Sequence, residues 1–431
     1  MKKLSNKIFY QRHNEELNRY MYNRTALHVI NTNSKDKIIE KKSEKLFINK
    51  NELISSNILQ KKYEAIILTD IVEVHDDLFS LLNQLTLALA ENGIFVISSL
   101  NYKYTPLIRL FEIIGIKDKN LNYSYIQNKK LKNITSGLGF DFITSYTKQI
   151  FPFKLFFIGD YINIFLELLF SFFNLGIKTY SVFRIQPNTD SVYKKTIIIP
   201  AKNEEGNLEI LINRIPKNEK YEIIIPCGLS EDNTISVARE LSKNNNTFDI
   251  STFVQTGKGK ANAVWEAADR AKGDVLAILD ADISVDPETI PDFFEIIKKN
   301  NADFVNGTRL IYQMEKGSMR YINTLGNRVF QLVIGKIINQ QITDSLCGTK
   351  VFKKTLLQDI KFWQNSTKTT DPFGDFDLLF AAAFSGQKII EFPIHYRKRI
   401  YGETQISRFK DGFKLIKYLT KTYFVFRTSK N

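Results

Sequence analysis

Apolar and polar positions fall along the chain in two successive rounds of strand and helix spacing. In the first, LHVIN (27–31), KLFIN (45–49), YEAIILTD (63–70) and GIFVISS (93–99) are apolar runs with the length and composition of buried parallel strands. DLFSLLNQLTLALAE (77–91) has helical spacing; Asp77 suits the positive N-terminal end of that helix, and Gly93 follows its stop. Residues 140–150 and 178–186 predict two later strands flanking the Phe-rich stretch 151–177. The second round opens on KTIIIPAKNEEGN (195–207), a buried strand running into a proline and a polar loop. A helix follows, then the strand YEIIIPCG (221–228), a helix through Val237–Ser242 and the strand DISTFVQT (249–256). GDVLAILDAD (273–282) is a further apolar strand that ends on two acids.

Alternation of this kind predicts an α/β protein with two mostly parallel, doubly wound sheets in series. The expected domains are 1–186 and 195–431, joined by a polar, proline-containing linker over 187–194. Ligands of such sheets bind beyond the carboxyl ends of the strands. The loops at 200–207, 226–234, 257–262 and 280–286 are therefore expected to converge on one crevice.

Composition changes this picture little. A chain of 431 residues with 43% hydrophobic and 25% charged content can bury a sizeable core and is not disordered. Sixty Lys and Arg against 46 Asp and Glu give a formal charge of +14. That surplus favours anionic partners, although much of it reflects a Lys-, Asn- and Ile-heavy residue usage. Two cysteines, Cys227 and Cys347, are too few for a disulfide framework and suggest a reducing cytoplasm. The N-terminus lacks the apolar core of a signal peptide. Lys154, Asp160, Asn163, Glu167 and Asn174 interrupt 151–177, which argues against a membrane span. A packed helix pair is expected there, with an interfacial helix at the bilayer as the alternative.

Candidate chemistry centres on Asp280 and Asp282. Two carboxylates at a strand end suit a hard divalent cation, Mg²⁺ or Mn²⁺, that bridges to substrate phosphates. Gly257-Lys258-Gly259-Lys260 leads into a helix, so glycine permits close backbone approach while the helix end and the lysines favour an anion. The spacing is not that of a Walker A loop.

PAKNEEGN (200–207), SEDNT (230–234), GKGKANAV (257–264), DADISVDP (280–287), NGTRL (306–310), DSLCGTKVF (344–352), DPFGDFDLLF (371–380) and IIEFPIHYRKRIYGETQISRF (389–409) stand in the order found in family-2 glycosyltransferases. The segment resembles the polyprenyl-phosphate mannosyl- and glucosyltransferase branch. The resemblance implies a GT-A fold, with Pro200, Asn203, Glu204 and Asp232 at the nucleoside and Lys258, Lys260 and Asp280 at the donor. It implies Asp280 and Asp282 as metal ligands, Asp375 and Asp377 as the catalytic acids, and Arg309, Thr404 and Arg408 at the acceptor, with Arg408 also catalytic; Lys350 joins the acceptor set as a further cation for an anionic acceptor. Asp375 is the candidate base for a hydroxyl acceptor, whereas a phosphate acceptor would need the cations instead. Cys227 and Gly228 stand where the family has two acids, so the donor base stays open.

The order of elements over about 26–186 resembles a class I S-adenosylmethionine-dependent methyltransferase, a Rossmann-like fold. YEAIILTD through GIFVISS looks like its fourth strand, helix and fifth strand, and GLGFDFITSY like a late segment. The first strand, however, runs into VINTNSKD (29–36), and no glycine precedes Gly93. A degenerate domain that does not use S-adenosylmethionine is expected. The expected whole is a cytoplasmic, metal-assisted inverting glycosyltransferase with a nucleotide-sugar donor, a lipid-linked or glycan acceptor and peripheral contact with the inner membrane face. Nucleic acid is not an expected partner. A bifunctional methyltransferase/glycosyltransferase and a sugar-phosphate nucleotidyltransferase are the alternatives.

Overall fold

The computed structural model describes residues 2–32, 43–49, 52, 54–114, 126–151, 158–170, 173–185, 192–299, 301–312, 321–368, 371, 374–398, 401 and 408–428. It divides into two compact units, Met1–Pro187 with Phe424–Asn431, and Asn188–Tyr423. The end of the chain thus groups with the first unit, where the linear sequence placed it in the second.

The first unit is built on β1 (Ala26–Asn31), β2 (Ser43–Ile48), β3 (Tyr63–Thr69), β4 (Leu89–Leu100), β5 (Phe140–Lys148) and β6 (Lys178–Ile185), in the spatial order β2-β1-β3-β4-β6-β5. The first four strands run parallel; β6 is antiparallel to both β4 and β5. Asp77 caps the helix Leu78–Ala88 by accepting from the Ser80 N–H at 2.9 Å. Leu78, Leu81, Leu82, Leu85 and Ala88 from that helix are buried together with Val29, Leu68 and Phe95 of the sheet. Each buried leucine is worth about 1.5–3 kcal/mol relative to exposure.

The N-terminal helix Lys2–Met21 follows a different rule. Glu16, Arg19 and Tyr20 are all buried, and they meet Tyr146 and Lys148 of β5. Glu16 pairs with Arg19 at 3.1 Å and with Lys148 at 2.6 Å, while the Tyr20 and Tyr146 hydroxyls stand 2.9 Å apart. Burial opposes ionisation of Glu16, yet the two cations beside it hold its pKa below the usual carboxylate range. Lys148 also donates to the Phe426 carbonyl, which explains why the chain end belongs to this unit.

Of the expected helix pair over 151–177, the structure describes one helix, Gly159–Phe170; residues 152–157 and 171–172 lie outside the described residues. Tyr161, Phe165 and Leu169 are 69%, 58% and 51% exposed. Their four-residue spacing puts them on one face. Among the described residues no helix is long and apolar enough to cross a membrane.

The second unit holds β7 (Lys195–Ile198), β8 (Glu222–Cys227), β9 (Asp249–Val254), β10 (Val275–Ile278), β11 (Phe304–Thr308), β12 (Lys350–Lys353) and β13 (Ile389–Pro393), ordered β13-β11-β12-β10-β7-β8-β9. Strands β7 to β10 are parallel, as the apolar runs predict. The sheet as a whole is mixed, because β12 runs antiparallel to both β10 and β11. Because β13 pairs parallel with β11, the other six strands share one direction, so the sheet is mostly parallel, as expected, with β12 as its reversed strand. The inserted strand has a consequence for chemistry: Lys350 lies in register with Ile278 of β10 and with Asn306 of β11. Its start is thereby carried to the end of the strand that leads into Asp280.

Candidate active site

The carboxyl ends of β10, β7 and β8 lie side by side, so the loops that follow them share one edge. The loops after β7 and β8 are knitted together. The Asn203 N–H donates to Ser230 Oγ at 3.2 Å, the Glu204 N–H to Thr234 Oγ1 at 2.8 Å, and the Glu205 N–H to Asp232 Oδ2 at 3.2 Å. In return the Glu231 N–H donates to Asn203 Oδ1 at 2.9 Å, and the Asn233 N–H to Glu205 Oε2 at 2.8 Å. Burial opposes the charge of Asp232, but hydrogen bonds from Thr234 and Glu205 hold its pKa below the usual range. Asn203 has φ +56°, a left-handed conformation that asparagine tolerates better than most residues.

Asp280 and Asp282 follow β10. Ile283 has φ +53°, an outlier for a β-branched side chain that costs on the order of 1–3 kcal/mol. That turn lets the Ser284 N–H donate to Asp282 Oδ1 at 3.0 Å, and Asp282 is only 5% exposed. A single antiparallel bridge between Val285 and Tyr396 brings the later segment against this loop. Arg397 then pairs with Asp286 at 3.1 Å.

Lys260, the first residue of the helix Lys260–Arg270, reaches from the glycine-rich loop to the acids. Its Nζ lies 2.7 Å from Asp280 Oδ1 and 3.9 Å from Asp375 Oδ2. Burial works against its charge, but Asp280 and Asp375, with Asp282 contributing, hold the ammonium more firmly protonated than usual. Asp375 opens the helix Asp375–Phe384 and is 8% exposed. Burial pushes its pKa up, against the pull of Lys260 and Lys350. Lys350 Nζ is 3.8 Å from Asp375 Oδ1 and donates to Asn306 Oδ1 at 2.8 Å and to the Cys347 carbonyl. Arg309 forms a fork with Asp344, its Nε and Nη2 at 2.6 and 2.9 Å from the two carboxylate oxygens. Three cations thus face four carboxylates, Asp280, Asp282, Asp344 and Asp375, in one cluster.

The structure therefore brings Lys260, Asp280, Asp282, Lys350 and Asp375 together, and it brings Asn203, Glu204 and Asp232 together in the adjacent loops. Lys258 is exposed on the loop before Lys260, and Pro200 follows β7 at the start of the first loop. Asp377 is not in the cluster. It is fully buried, accepting from Gln364 Nε2 at 3.0 Å, the Asp371 N–H at 3.2 Å and the Tyr418 hydroxyl, and it ties three segments of the fold together. Thr404 and the Arg408 side chain lie outside the described residues; Arg408 begins the helix Arg408–Thr428. Tyr401 reaches the first loop, where its hydroxyl donates to Glu205 Oε1 at 3.3 Å. Cys347 is buried, its thiol pushed up to about 12 chiefly by that burial, which suits packing and not nucleophilic attack.

Sequence reasoning gave no role to Asp344 or Gly348. Asp344 orients Arg309, and a Cβ on Gly348 would overlap Asp280 Oδ2 and stand 2.6 Å from Lys260 Nζ. Both residues sit in DSLCGTKVF, so the motif marked the right place without the reason for it.

Residues 196–361 match the family described as Glycosyl transferase family 2. Over 240 residues, 53% of this chain, it is 28% identical to a dolichol-phosphate mannosyltransferase of Pyrococcus furiosus, covering 63% of that protein. It is 24% identical over 240 residues to the low-salt glycan biosynthesis hexosyltransferase Agl6 of Haloferax volcanii, covering 54% of this chain and 55% of that one. With an undecaprenyl-phosphate 4-deoxy-4-formamido-L-arabinose transferase of an Enterobacter species it shares 24% identity over 223 residues, 51% of this chain and 64% of that protein. The chain thus spans less than two thirds of the length of each of these relatives.

Proposed function

We propose, from the match of residues 196–361 to Glycosyl transferase family 2, that this protein is an inverting glycosyltransferase. It moves a sugar from a nucleotide-diphosphate sugar to a lipid-phosphate or surface-glycan acceptor. The observation that carries the reading is the contact of Lys260 with both Asp280 and Asp375 at the strand-end edge, beside the loops of Asn203 and Asp232. A nucleoside fits the knitted loops, and its diphosphate extends toward Lys260.

The donor set fits a divalent cation: an ammonium already stands among the carboxylates, where a positive charge is favoured. Asp280 and Asp282 would hold Mg²⁺ or Mn²⁺, which supplies Lewis-acid stabilisation of the departing diphosphate. Asp375, made more basic by burial, takes the proton of a hydroxyl acceptor. Arg309 and Arg408 serve an acceptor phosphate, with Thr404 beside them. Lys350, fully buried, acts on Asp375 and not by touching the acceptor.

The first unit is proposed as a degenerate methyltransferase-like domain. At the edge where a glycine-rich turn would admit a cofactor, Asn31 Nδ2 donates to the Asp70 carbonyl at 3.2 Å and the buried Lys178 pairs with Asp70. Side chains fill the approach that glycine would leave open. Peripheral membrane contact is assigned to the face carrying Tyr161, Phe165 and Leu169. The chain should float with anionic lipid vesicles, and Phe165→Ser with Tyr161→Ser should abolish flotation; a chain that stays in the pellet fraction contradicts this assignment.

A thermal-shift screen tests the main reading. Nucleoside diphosphates and their sugars should raise the melting temperature only with Mn²⁺ or Mg²⁺, and S-adenosylmethionine should not. Asp282→Ala should lose both the shift and turnover while keeping the wild-type melt. Full activity in Asp282→Ala removes the metal assignment, and release of pyrophosphate in place of nucleoside diphosphate reassigns the enzyme to nucleotidyl transfer.

A further inference from the structure

Lys260 occupies the place a metal would want. Its ammonium is 2.7 Å from one oxygen of Asp280, and Gly348 leaves no room for a side chain on the other side of that pair. A cation arriving at Asp280 must therefore displace Lys260 or share the carboxylate with it, and like charges at that spacing repel. The lysine cannot be left without a counter-ion: three carboxylates hold its charge, and Asp375 at 3.9 Å is already shared with Lys350. A diphosphate is the partner that resolves this conflict. Its oxygens offer the ammonium a replacement anion at the N-terminal end of the helix Lys260–Arg270, where negative charge is also favoured.

We propose that Lys260 is an exchangeable internal cation that couples the two ligands: the donor's diphosphate takes Lys260, which releases Asp280 to the metal. The inference rests on the glycosyltransferase reading and adds an order to it. Metal binds weakly by itself, and nucleotide and metal each strengthen the other by the same factor, as linkage requires. The device keeps the two acids neutralised between turnovers and makes a stable metal site conditional on a diphosphate being present.

Mn²⁺ binding followed by electron paramagnetic resonance, with and without UDP or GDP, tests this on the full chain. In the wild type the nucleoside diphosphate should tighten Mn²⁺ binding about 5–150-fold. Lys260→Met should bind Mn²⁺ alone several-fold more tightly than the wild type, bind the nucleoside diphosphate more weakly, and lose most of the coupling. Lys260→Arg, which keeps the charge, should keep the weak binding of Mn²⁺ alone. Lys260→Gln replaces Lys260→Met should the latter fail to fold. Unchanged Mn²⁺ affinity in the neutral variants, or tighter Mn²⁺ binding with the coupling intact, overturns the exchange and leaves the glycosyltransferase reading standing. Absence of Mn²⁺ and nucleotide binding in every form, wild type included, overturns that reading instead.

Discussion

Asp375→Asn is expected to lower kcat about 10²–10⁴-fold on a glycan acceptor that attacks through a hydroxyl, and to change it far less on a polyprenyl phosphate. The asparagine keeps the shape of the side chain and removes its proton affinity. A hydroxyl must shed its proton as it attacks, whereas a phosphate acceptor arrives anionic. Asp375 is suited to the task because it is 8% exposed and its pKa is raised by burial, with Lys260 and Lys350 pulling the other way. The sign of the pH effect follows: the base works only when deprotonated, so kcat/KM falls as pH drops through its raised pKa. That acidic limb should lie above the ordinary aspartate range and vanish in Asp375→Asn. Equal rates for wild type and variant on a hydroxyl acceptor would show that this carboxylate is not the base.

Gly348→Ala should abolish metal-dependent nucleotide binding while leaving the fold intact. The added methyl would overlap Asp280 Oδ2 and crowd Lys260 Nζ at 2.6 Å. Of the two neighbours Asp280 has the less room, because it stands two residues past the end of β10, whose strand is fixed by β7 and β12 on either side. The carboxylate must rotate away, and with it goes one of the two proposed metal ligands. The melting temperature should move little, since the ion pair that is lost is partly exposed, 25% for Lys260 and 30% for Asp280, and Lys260 keeps Asp375 at 3.9 Å as a counter-ion. Isothermal titration with UDP and GDP in the presence of Mn²⁺ reads the effect. Wild-type affinity in Gly348→Ala would mean that the Asp280–Lys260 geometry is not what binds the ligand.

The two acids of the candidate site could be read from the chain because they follow an apolar run. VLAIL, short, apolar and set in strand-helix alternation, reads as a buried strand, and the first polar residues after such a strand emerge at the sheet's edge. The same holds for the loop after IIIP and for the glycine-rich turn before Lys260. Asp377 misleads for a related reason. It stands two residues after Asp375 on a helix, and at that spacing two side chains do not share a face. One therefore reaches the cluster and the other is sealed against Gln364 and Tyr418.

Local pattern was enough to specify the apolar strands, the Asp77-capped helix and the placing of Asp280 and Asp282, since each depends on periodicity within a few residues. It could not specify the antiparallel entry of β12, the burial of Glu16 and Arg19 beside Leu17 and Tyr20 of the N-terminal helix, or the meeting of Lys260 with Asp375 across more than a hundred residues. Those outcomes depend on charges that are tolerable in the interior only with a partner, and a partner is chosen by the folded chain, not by its neighbours in sequence.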